Sequence, residues 1–266
     1  MAFSALGSEL HSPSSAKIES TAAPANGEAM PTVTLVDGFF CAIRAFYAHE
    51  RWSPETKKGA PSGAIYGFAK LLLRLRQCSP SGHRGSHLAV MLDSSIEGLE
   101  RRRLFPGYKR GRLKMRQTQT EHRGTDWVLE ENSRATISAG LTSQLTQLPI
   151  LCEALKVKWF RAEGYEADDL LYTFAEAARI DNDVWIVTRD KDLMQVVGPR
   201  VRLSAGLVTE DSIVDVDWVV RRWGVRPDQL GDLLAMTGDV SDSIDGMANI
   251  GPKLAALLLQ KYESLE

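Results

Sequence analysis

The sequence predicts an α/β protein with a mainly parallel sheet flanked by helices. Short apolar runs alternate along the chain with longer segments of helical periodicity, and this alternation is typical of parallel α/β folds. Three of the apolar runs are followed within three residues by an aspartate. The chain has 266 residues and is 44% hydrophobic, which is enough to bury a sizeable core.

The elements can be placed in chain order from these patterns. Strands are predicted where apolar runs are bounded by turn residues, at 32–36, 87–92, 157–160 and 184–187. Helices are predicted at 39–49, 63–77, 144–155 and 166–178. In the second helix one face carries Ile65, Phe68, Leu71, Leu72 and Leu75. From residue 212 onward the sequence favours short helices.

The ends of the chain and its cysteines restrict the class of protein. Residues 1–30 are rich in Ala, Ser, Pro and Gly without a sustained period, which predicts a disordered leader. Cys41, Cys78 and Cys152 lie in apolar surroundings and form neither a metal-ligand spacing nor a disulfide framework, so free buried thiols are expected. No apolar run approaches the ~20 residues of a membrane span, and no membrane partner is expected.

Charge is distributed unevenly, although the net charge is only −2. Residues 101–123 contain nine basic residues against one acidic residue, a net charge of +8. Residues 163–245 contain 18 acidic residues against 8 basic ones, a balance of −10. This polarity predicts that one part of the chain binds a polyanion while another part binds cations.

Acidic residues are expected to meet at one edge of the sheet. Parallel strands point the same way, so aspartates that follow them share the carboxyl edge, where ligands bind. Taken alone, each such residue is most often a turn residue or a helix cap. The joint pattern is more specific, and it proposes one cluster of nine: Asp37, Asp93, Glu166, Asp168, Asp169, Asp190, Asp192, Asp239 and Asp242.

Such a cluster predicts bound cations. Carboxylates this close repel one another unless a cation neutralises them. Hard oxygen ligands select Mg²⁺ or Mn²⁺ over zinc. Two such ions about 4 Å apart suit phosphodiester hydrolysis, because one activates the attacking water and the other stabilises the leaving oxygen.

The cluster lies within a series of ordered motifs. These are Leu-Val-Asp-Gly (35–38), Arg-Ala-Phe-Tyr (44–47), Pro-Ser-Gly-Ala-Ile-Tyr-Gly-Phe (61–68), Ala-Val-Met-Leu-Asp (89–93), Phe-Pro-Gly-Tyr-Lys-Arg-Gly-Arg (105–112), Gly-Tyr-Glu-Ala-Asp-Asp (164–169), Thr-Arg-Asp-Lys-Asp (188–192), Met-Thr-Gly-Asp-Val-Ser-Asp (236–242) and Ile-Gly-Pro-Lys-Leu-Ala (250–255). The series resembles the 5′-nuclease family, which includes the 5′–3′ exonuclease domain of bacterial DNA polymerase I and the flap endonucleases. The resemblance runs from about residue 32 to the last residue.

The resemblance implies a role for each position. A first metal would be held by Asp37, Asp93, Glu166 and Asp168. A second, partly through water, would be held by Asp169, Asp190, Asp192, Asp239 and Asp242. Lys109 and Arg112, beside Tyr108, would steer the scissile phosphate, with Arg44 near it. A hairpin at 246–251 would contact duplex phosphate, often with a K⁺ ion, through Gly246, Asn249, Gly251 and Lys253.

The resemblance also implies a domain organisation. A PIN-like 5′-nuclease core would occupy 31–205, including a basic arch at 101–143, and a helix–three-turn–helix module, apparently truncated, would occupy 206–266. The chain has Ser243, Asp245 and Asn249 where the family usually has Asn, Pro or Gly, and Asp245 would weaken duplex binding. Residues 113–143 form an enlarged arch, a loop with another task, or a solvated insertion.

The expected function is a structure-specific 5′–3′ exonuclease or flap endonuclease, acting as a monomer on DNA 5′ ends, flaps and nicked or branched duplex in replication or repair.

The retained carboxylates argue against a DNA-binding protein without catalysis. A phosphatase would need Asp-x-Asp after the first strand, and a dehydrogenase a glycine-rich turn. An RNA-cleaving relative is disfavoured by the module. An intracellular location is expected, either the cytoplasm and nucleoid or a DNA-containing organelle.

Overall fold

A computed structural model describes residues 30–49, 55, 59, 62–77, 87–95, 98–109, 139–205 and 213–265. The predicted leader up to residue 29, Cys78, Arg112 and most of the predicted arch lie outside these described residues. Residues Pro31–Glu266 form one compact unit. No helix within the described ranges has both the length and the apolar character needed to cross a membrane.

A six-stranded sheet forms the centre of the fold. Its strands are β1 Thr32–Asp37, β2 His87–Met91, β3 Lys158–Phe160, β4 Asp183–Val187, β5 Val201–Ser204 and β6 Ile213–Val214. Their spatial order is β3-β2-β1-β4-β5-β6, and only β6 runs antiparallel to its neighbour. The predicted mainly parallel sheet is therefore confirmed. Neither β5 nor β6 is among the strands that the sequence predicts, and β6, with two residues, is too short to show a strand period.

Helices lie on both sides of this sheet. They are α1 Gly38–His49, α2 Gly63–Gln77, α3 Glu100–Leu104, α4 Ala139–Leu145, α5 Leu148–Ala154, α6 Ala167–Ala178, α7 Val216–Trp223, α8 Leu230–Thr237 and α9 Pro252–Tyr262. Short 3-10 helices lie at Asp192–Val196, Pro227–Gln229 and Val240–Asp242. The predicted helices at 39–49, 63–77 and 166–178 are confirmed to within one residue.

The single helix predicted at 144–155 is wrong, because two helices occupy this region. The helix α4 ends at Leu145, and α5 begins at Leu148 with Pro149 in its first turn. Proline has no N–H to donate to the carbonyl of residue 145, and its ring clashes with that carbonyl in a continuous helix. The apolar period continues across the break, so hydrophobic spacing alone cannot reveal it.

Each face of the sheet has its own hydrophobic core. On one face, Leu171 of α6 and Leu230 and Leu233 of α8 pack against Leu35 and Ile186. On the other face, Phe68 and Leu72 of α2 pack with Val36, Val90 and the buried free thiol Cys152. Helices on both faces bury the parallel strands on two sides, as such sheets require.

The order of the strands places a crevice beside β1. The chain builds β1, β2 and β3 outward in one direction and then returns to place β4 on the other side of β1. A parallel sheet opens a ligand crevice at such a reversal, outside the carboxyl ends of the strands. The register sets Asp37 level with Met91, so the ends of β1 and β2 lie together.

Candidate active site

Aspartates from three strand ends converge at the crevice beside β1. Asp37 is the last residue of β1, Asp93 follows β2 by two residues and Asp190 follows β4 by three. A Cβ atom added to Gly38 would lie 2.4 Å from Cδ2 of Leu92, so this glycine allows α1 to start close against β2. The close approach keeps Asp37 beside Asp93.

The strand-end carboxylates are held by defined hydrogen bonds. Asp37 accepts one from the backbone N–H of Phe40 at 3.0 Å and one from the hydroxyl of Thr188 at 3.1 Å. The same Thr188 oxygen accepts from the backbone N–H of Asp190 at 3.2 Å. Thr188 thereby joins the ends of β1 and β4.

The start of α6 brings three more carboxylates to this edge. Asp93 accepts a hydrogen bond of 2.8 Å from the backbone N–H of Ala167. Asp169 accepts from the backbone N–H of Glu166 at 2.9 Å, and Asp168 accepts from that of Asp169 at 2.8 Å. Acidic side chains are favoured here because the first N–H groups of a helix lack partners.

The last three carboxylates come from the segment after β4 and from the turn after α8. Carboxylate oxygens of Asp192, Asp239 and Asp242 all lie within 4.8 Å of one another. Asp239 also accepts from the N–H and hydroxyl of Ser241 at 2.8 and 2.6 Å. These three residues lie close to Asp190, and the charge of Asp190 raises the pKa of Asp192.

Burial and mutual repulsion shift the pKa values of the cluster. Burial, followed by the charges of Asp93 and Asp190, raises the pKa of Asp37 from 3.8 to about 8. Burial and then the charge of Asp190 raise the pKa of Asp192 to about 6. Burial favours a higher pKa for Glu166, but Lys109, the hydrogen bond from Tyr108 and the charge of Arg101 together hold that pKa below its ordinary value.

Three basic side chains lie among these acids. Lys109 is buried and forms an ion pair with Glu166, and its Nζ lies 3.9 Å from Asp242. Lys191 forms a 3.0 Å ion pair with Asp239. Arg101 pairs with Glu166, Asp168 and Asp169. Of these three, the sequence predicted only Lys109 as a site residue.

Comparisons with known proteins identify the arrangement. A family described as "5′-3′ exonuclease, N-terminal resolvase-like domain" matches residues 32–224, and one described as "5′-3′ exonuclease, C-terminal SAM fold" matches 225–266. The chain belongs to the 5′–3′ exonuclease family. The family and fold predicted from the sequence are thereby confirmed, together with the exonuclease class that the family name states.

Individual relatives agree with this membership. The chain is 35% identical over 241 residues to a DNA polymerase I of Rhizobium leguminosarum, covering 87% of this chain and 21% of the relative. It is 33% identical over 235 residues to the thermostable DNA polymerase I of Thermus aquaticus, covering 88% and 24%. The chain therefore spans about a quarter or less of the length of these relatives.

A solved structure shares the fold. The bacteriophage T5 flap endonuclease, crystallised as a pseudo-enzyme–product complex with DNA and metal ions, has a TM-score of 0.62 and 18% identity to this chain. The match covers 88% of this chain and 76% of that one. At this identity the likeness concerns the fold alone.

All nine predicted carboxylates of this exonuclease-family chain lie in one electrostatically coupled group. Each one either shifts the pKa of another member or is shifted by it. Desolvated carboxylates that raise one another's pKa are best satisfied by cations, so the residues present fit a divalent-metal centre. Their assignment to individual ions stays a prediction.

Only some of the predicted phosphate-contact residues lie beside the carboxylates in the described part of the chain. Tyr108 and Lys109 lie within the cluster, where the Tyr108 hydroxyl donates to Glu166 at 2.6 Å. Arg44 is exposed on α1, and among the described residues no hydrogen bond or ion pair joins it to the carboxylates. Arg112 lies outside the described residues.

The predicted hairpin residues lie in a separate exposed turn that leads into α9. Gly246 packs against the end of α8, because a Cβ atom there would lie 2.3 Å from the carbonyl oxygen of Thr237. Asn249 adopts a left-handed conformation with φ 64°, and Gly251 caps α9. Lys253 is exposed in the first turn of that helix.

Sequence reasoning missed Arg101, Lys191 and Thr188 as site residues. Lys191 lies between the predicted ligands Asp190 and Asp192, and Thr188 is the first residue of the same motif. Their positions in the sequence could therefore have indicated both residues. Arg101 is one of three successive arginines, and only the structure distinguishes it from Arg102 and Arg103.

Proposed function

We propose that the protein hydrolyses phosphodiester bonds of DNA at 5′ ends and 5′ flaps, leaving a 5′-phosphate on the product. One observation carries the proposal. Asp37, Asp93, Glu166 and Asp190, which are spread over more than half of the chain, meet in one crevice at the carboxyl edge of the sheet. The family membership and the T5 complex with DNA and metal ions support it.

Two Mg²⁺ or Mn²⁺ ions are the proposed cofactors, because the predicted ligands are all carboxylates. Asp37, Asp93, Glu166 and Asp168 would hold one ion. Asp169, Asp190, Asp192, Asp239 and Asp242 would serve the other. When bound, such ions lower the pKa of water and neutralise charge on the phosphate.

Lys109 and the carboxylates are the groups that the protein itself would contribute to the reaction. Lys109 has φ 51°, and its backbone N–H donates to the carbonyl of Asp242 at 3.0 Å, which aims its ammonium into the cluster. A buried ammonium beside the scissile phosphate would stabilise the charge that develops in the transition state. No side-chain nucleophile is required, so the carboxylates position and neutralise rather than attack.

Duplex DNA is proposed to bind at the exposed turn of residues 246–251. Backbone N–H groups and Lys253 would contact phosphate oxygens without reading bases, so recognition would depend on DNA structure. A K⁺ ion at this turn is part of the proposal. Asp245 is exposed directly before this turn, and its negative charge would lower the affinity for phosphate.

The proposed function also implies an oligomeric state and a place of action. The protein would act as a monomer inside the cell, where the buried thiols of Cys41 and Cys152 stay reduced. Replication or repair would supply the 5′ ends and flaps that it cuts.

The experiment compares 5′-labelled flap, nicked and single-stranded DNA with Mg²⁺, for the parent protein and the Asp169→Asn variant. The parent should cut the flap and leave a 5′-phosphate. The variant should be slower by ~10²-fold or more, because one charge that supports the transition state is lost. Asp181→Asn, in an exposed turn after α6, is the matched control and should cut at the parent rate. Equal rates for Asp169→Asn and the parent, or no Mg²⁺-dependent cleavage, would refute the proposal.

A further inference from the structure

The guanidinium of Arg101 lies among the carboxylates at the start of α6. Its Nη1 donates to Glu166 Oε2 at 3.0 Å and to Asp168 Oδ2 at 2.9 Å, and its Nη2 donates to Asp169 Oδ1. Three carboxylates on one guanidinium form a denser arrangement than the isolated surface pairs seen elsewhere in the described chain, such as Arg179–Glu176. Arg101 therefore supplies one positive charge shared among the three carboxylates at this helix start.

The oxygens that Arg101 contacts belong to residues that a cation would need. A Mg²⁺ ion requires its oxygen ligands at about 2.0–2.1 Å in near-octahedral geometry. An oxygen that accepts a guanidinium hydrogen bond has one lone pair fewer to offer a cation. Two positive groups on one carboxylate also repel each other. Arg101 in its observed position and a cation on the same oxygens therefore compete.

Tyr108 provides a second anchor for the arginine. Nη1 of Arg101 also donates to the Tyr108 hydroxyl at 3.0 Å, and the guanidinium lies 5.8 Å from the Tyr108 ring centroid. Since Tyr108 directly precedes Lys109, an arginine released from the carboxylates would stay beside the proposed phosphate site. The Arg101 side chain is 38% exposed, so it borders the solvent from which a substrate would arrive.

We propose that Arg101 is a positioning residue with two alternating partners. Before divalent cations bind, it is the internal counter-ion that holds Glu166, Asp168 and Asp169 together. Once cations take those carboxylates, it turns to the phosphate of the DNA. The second partner rests on the proposed function, whereas the first requires only the geometry described above.

Calorimetric titration of Mn²⁺ into DNA-free protein tests the first partner. Arg101→Ala should bind Mn²⁺ about five- to tenfold more tightly than the parent, because the competing positive charge is gone and coupling of about this size is typical of linked sites. Arg101→Lys, which keeps the charge but cannot bridge three carboxylates, should fall between them. Arg102→Ala, on the adjacent residue of α3, should match the parent.

The sign of the change distinguishes the proposal from a purely structural role. If Arg101 only stabilised the fold, its removal would weaken Mn²⁺ binding and lower the melting temperature in parallel. Unchanged or weaker Mn²⁺ binding by Arg101→Ala would overturn the proposal. If that variant does not fold, Arg101→Lys must still bind more tightly than the parent.

Kinetics at saturating Mg²⁺ test the second partner. The Arg101→Ala variant should raise KM for a 5′ flap about tenfold, and the salt dependence of DNA binding should lose about one phosphate contact. An unchanged KM and salt slope would overturn this half. Tighter Mn²⁺ binding without any flap cleavage would retain the counter-ion role and reject the proposed function. Flap cleavage by the parent without a change in Mn²⁺ affinity in Arg101→Ala would retain the proposed function and reject the counter-ion role.

Discussion

Removing the charge of Asp37 should make the metal-free protein less sensitive to pH. Its carboxyl has a pKa of about 8 in the folded protein against an ordinary value of 3.8. Between these two values the folded state holds a proton that the unfolded state has released, so stability falls as pH rises. The Asp37→Asn variant carries no charge at this position and nearly preserves the shape of the side chain.

The magnitude follows from the size of the pKa difference. Each pH unit in that window changes the free energy of unfolding by about 1.36 kcal/mol. From about pH 5 to pH 8, Asp37 alone should therefore remove up to roughly 4 kcal/mol. Typical domains have a total stability of about 5–15 kcal/mol, so the effect is easily measured. Asp192, with a pKa of about 6, acts in the same direction at the lower end of the window.

Urea unfolding in EDTA at several pH values between about 5 and 8 measures the effect. The parent should lose stability steadily with rising pH, and Asp37→Asn should lose less by roughly 4 kcal/mol. Excess Mg²⁺ should flatten the parent curve, because a cation replaces the proton. Asp181→Asn should behave like the parent. Equal slopes for the parent and Asp37→Asn would refute the electrostatic reasoning.

Further substitutions test the other parts of the site. Asp192→Asn should lower the Mn²⁺ stoichiometry measured by calorimetry from two towards one, because carboxylate oxygens of Asp192, Asp239 and Asp242 lie close enough together to hold one ion. An unchanged stoichiometry would contradict this. Lys109→Met should reduce flap cleavage at saturating DNA by about 10²-fold or more while DNA affinity changes little; an unaltered kcat would exclude Lys109 from the reaction. Gly246→Ala should destabilise the protein by about 1–3 kcal/mol, since its Cβ would lie 2.3 Å from the Thr237 oxygen, and should weaken duplex binding. Gly98→Ala, whose Cβ would meet nothing within 4 Å, is the control, and equal DNA affinity for the two variants would argue against the turn as a duplex contact.

The strands and the carboxylate cluster could be predicted because both follow from local pattern and parallel topology. Apolar runs of four to six residues ending in Asp37 or preceding Asp93 and Asp190 define strand ends, and parallel strands bring their ends together. Glu166 and Asp169 open a helix, which is where acidic side chains are favoured. None of these features depends on side-chain packing.

The remaining features depend on tertiary contacts that have no local pattern. The break between α4 and α5 follows from one proline within an unbroken apolar period. Arg101 differs from Arg102 and Arg103 only in its tertiary contacts, because the N–H of Glu100 donates at 2.9 Å to the carbonyl of Gly164, in the segment that precedes α6, and Arg101 pairs with the carboxylates at the start of that helix. The sequence shows three successive arginines with no local pattern that separates one from the others.

Anomalous diffraction at the manganese edge, from crystals of the protein grown with Mn²⁺, examines the cation centre most directly. Two peaks about 4 Å apart are expected in the crevice beside β1. One should lie against Asp37, Asp93 and Glu166, and the other against the oxygens of Asp192 and Asp242. Peaks on unrelated surfaces, or none in the crevice, would show that these acids do not form a cation site.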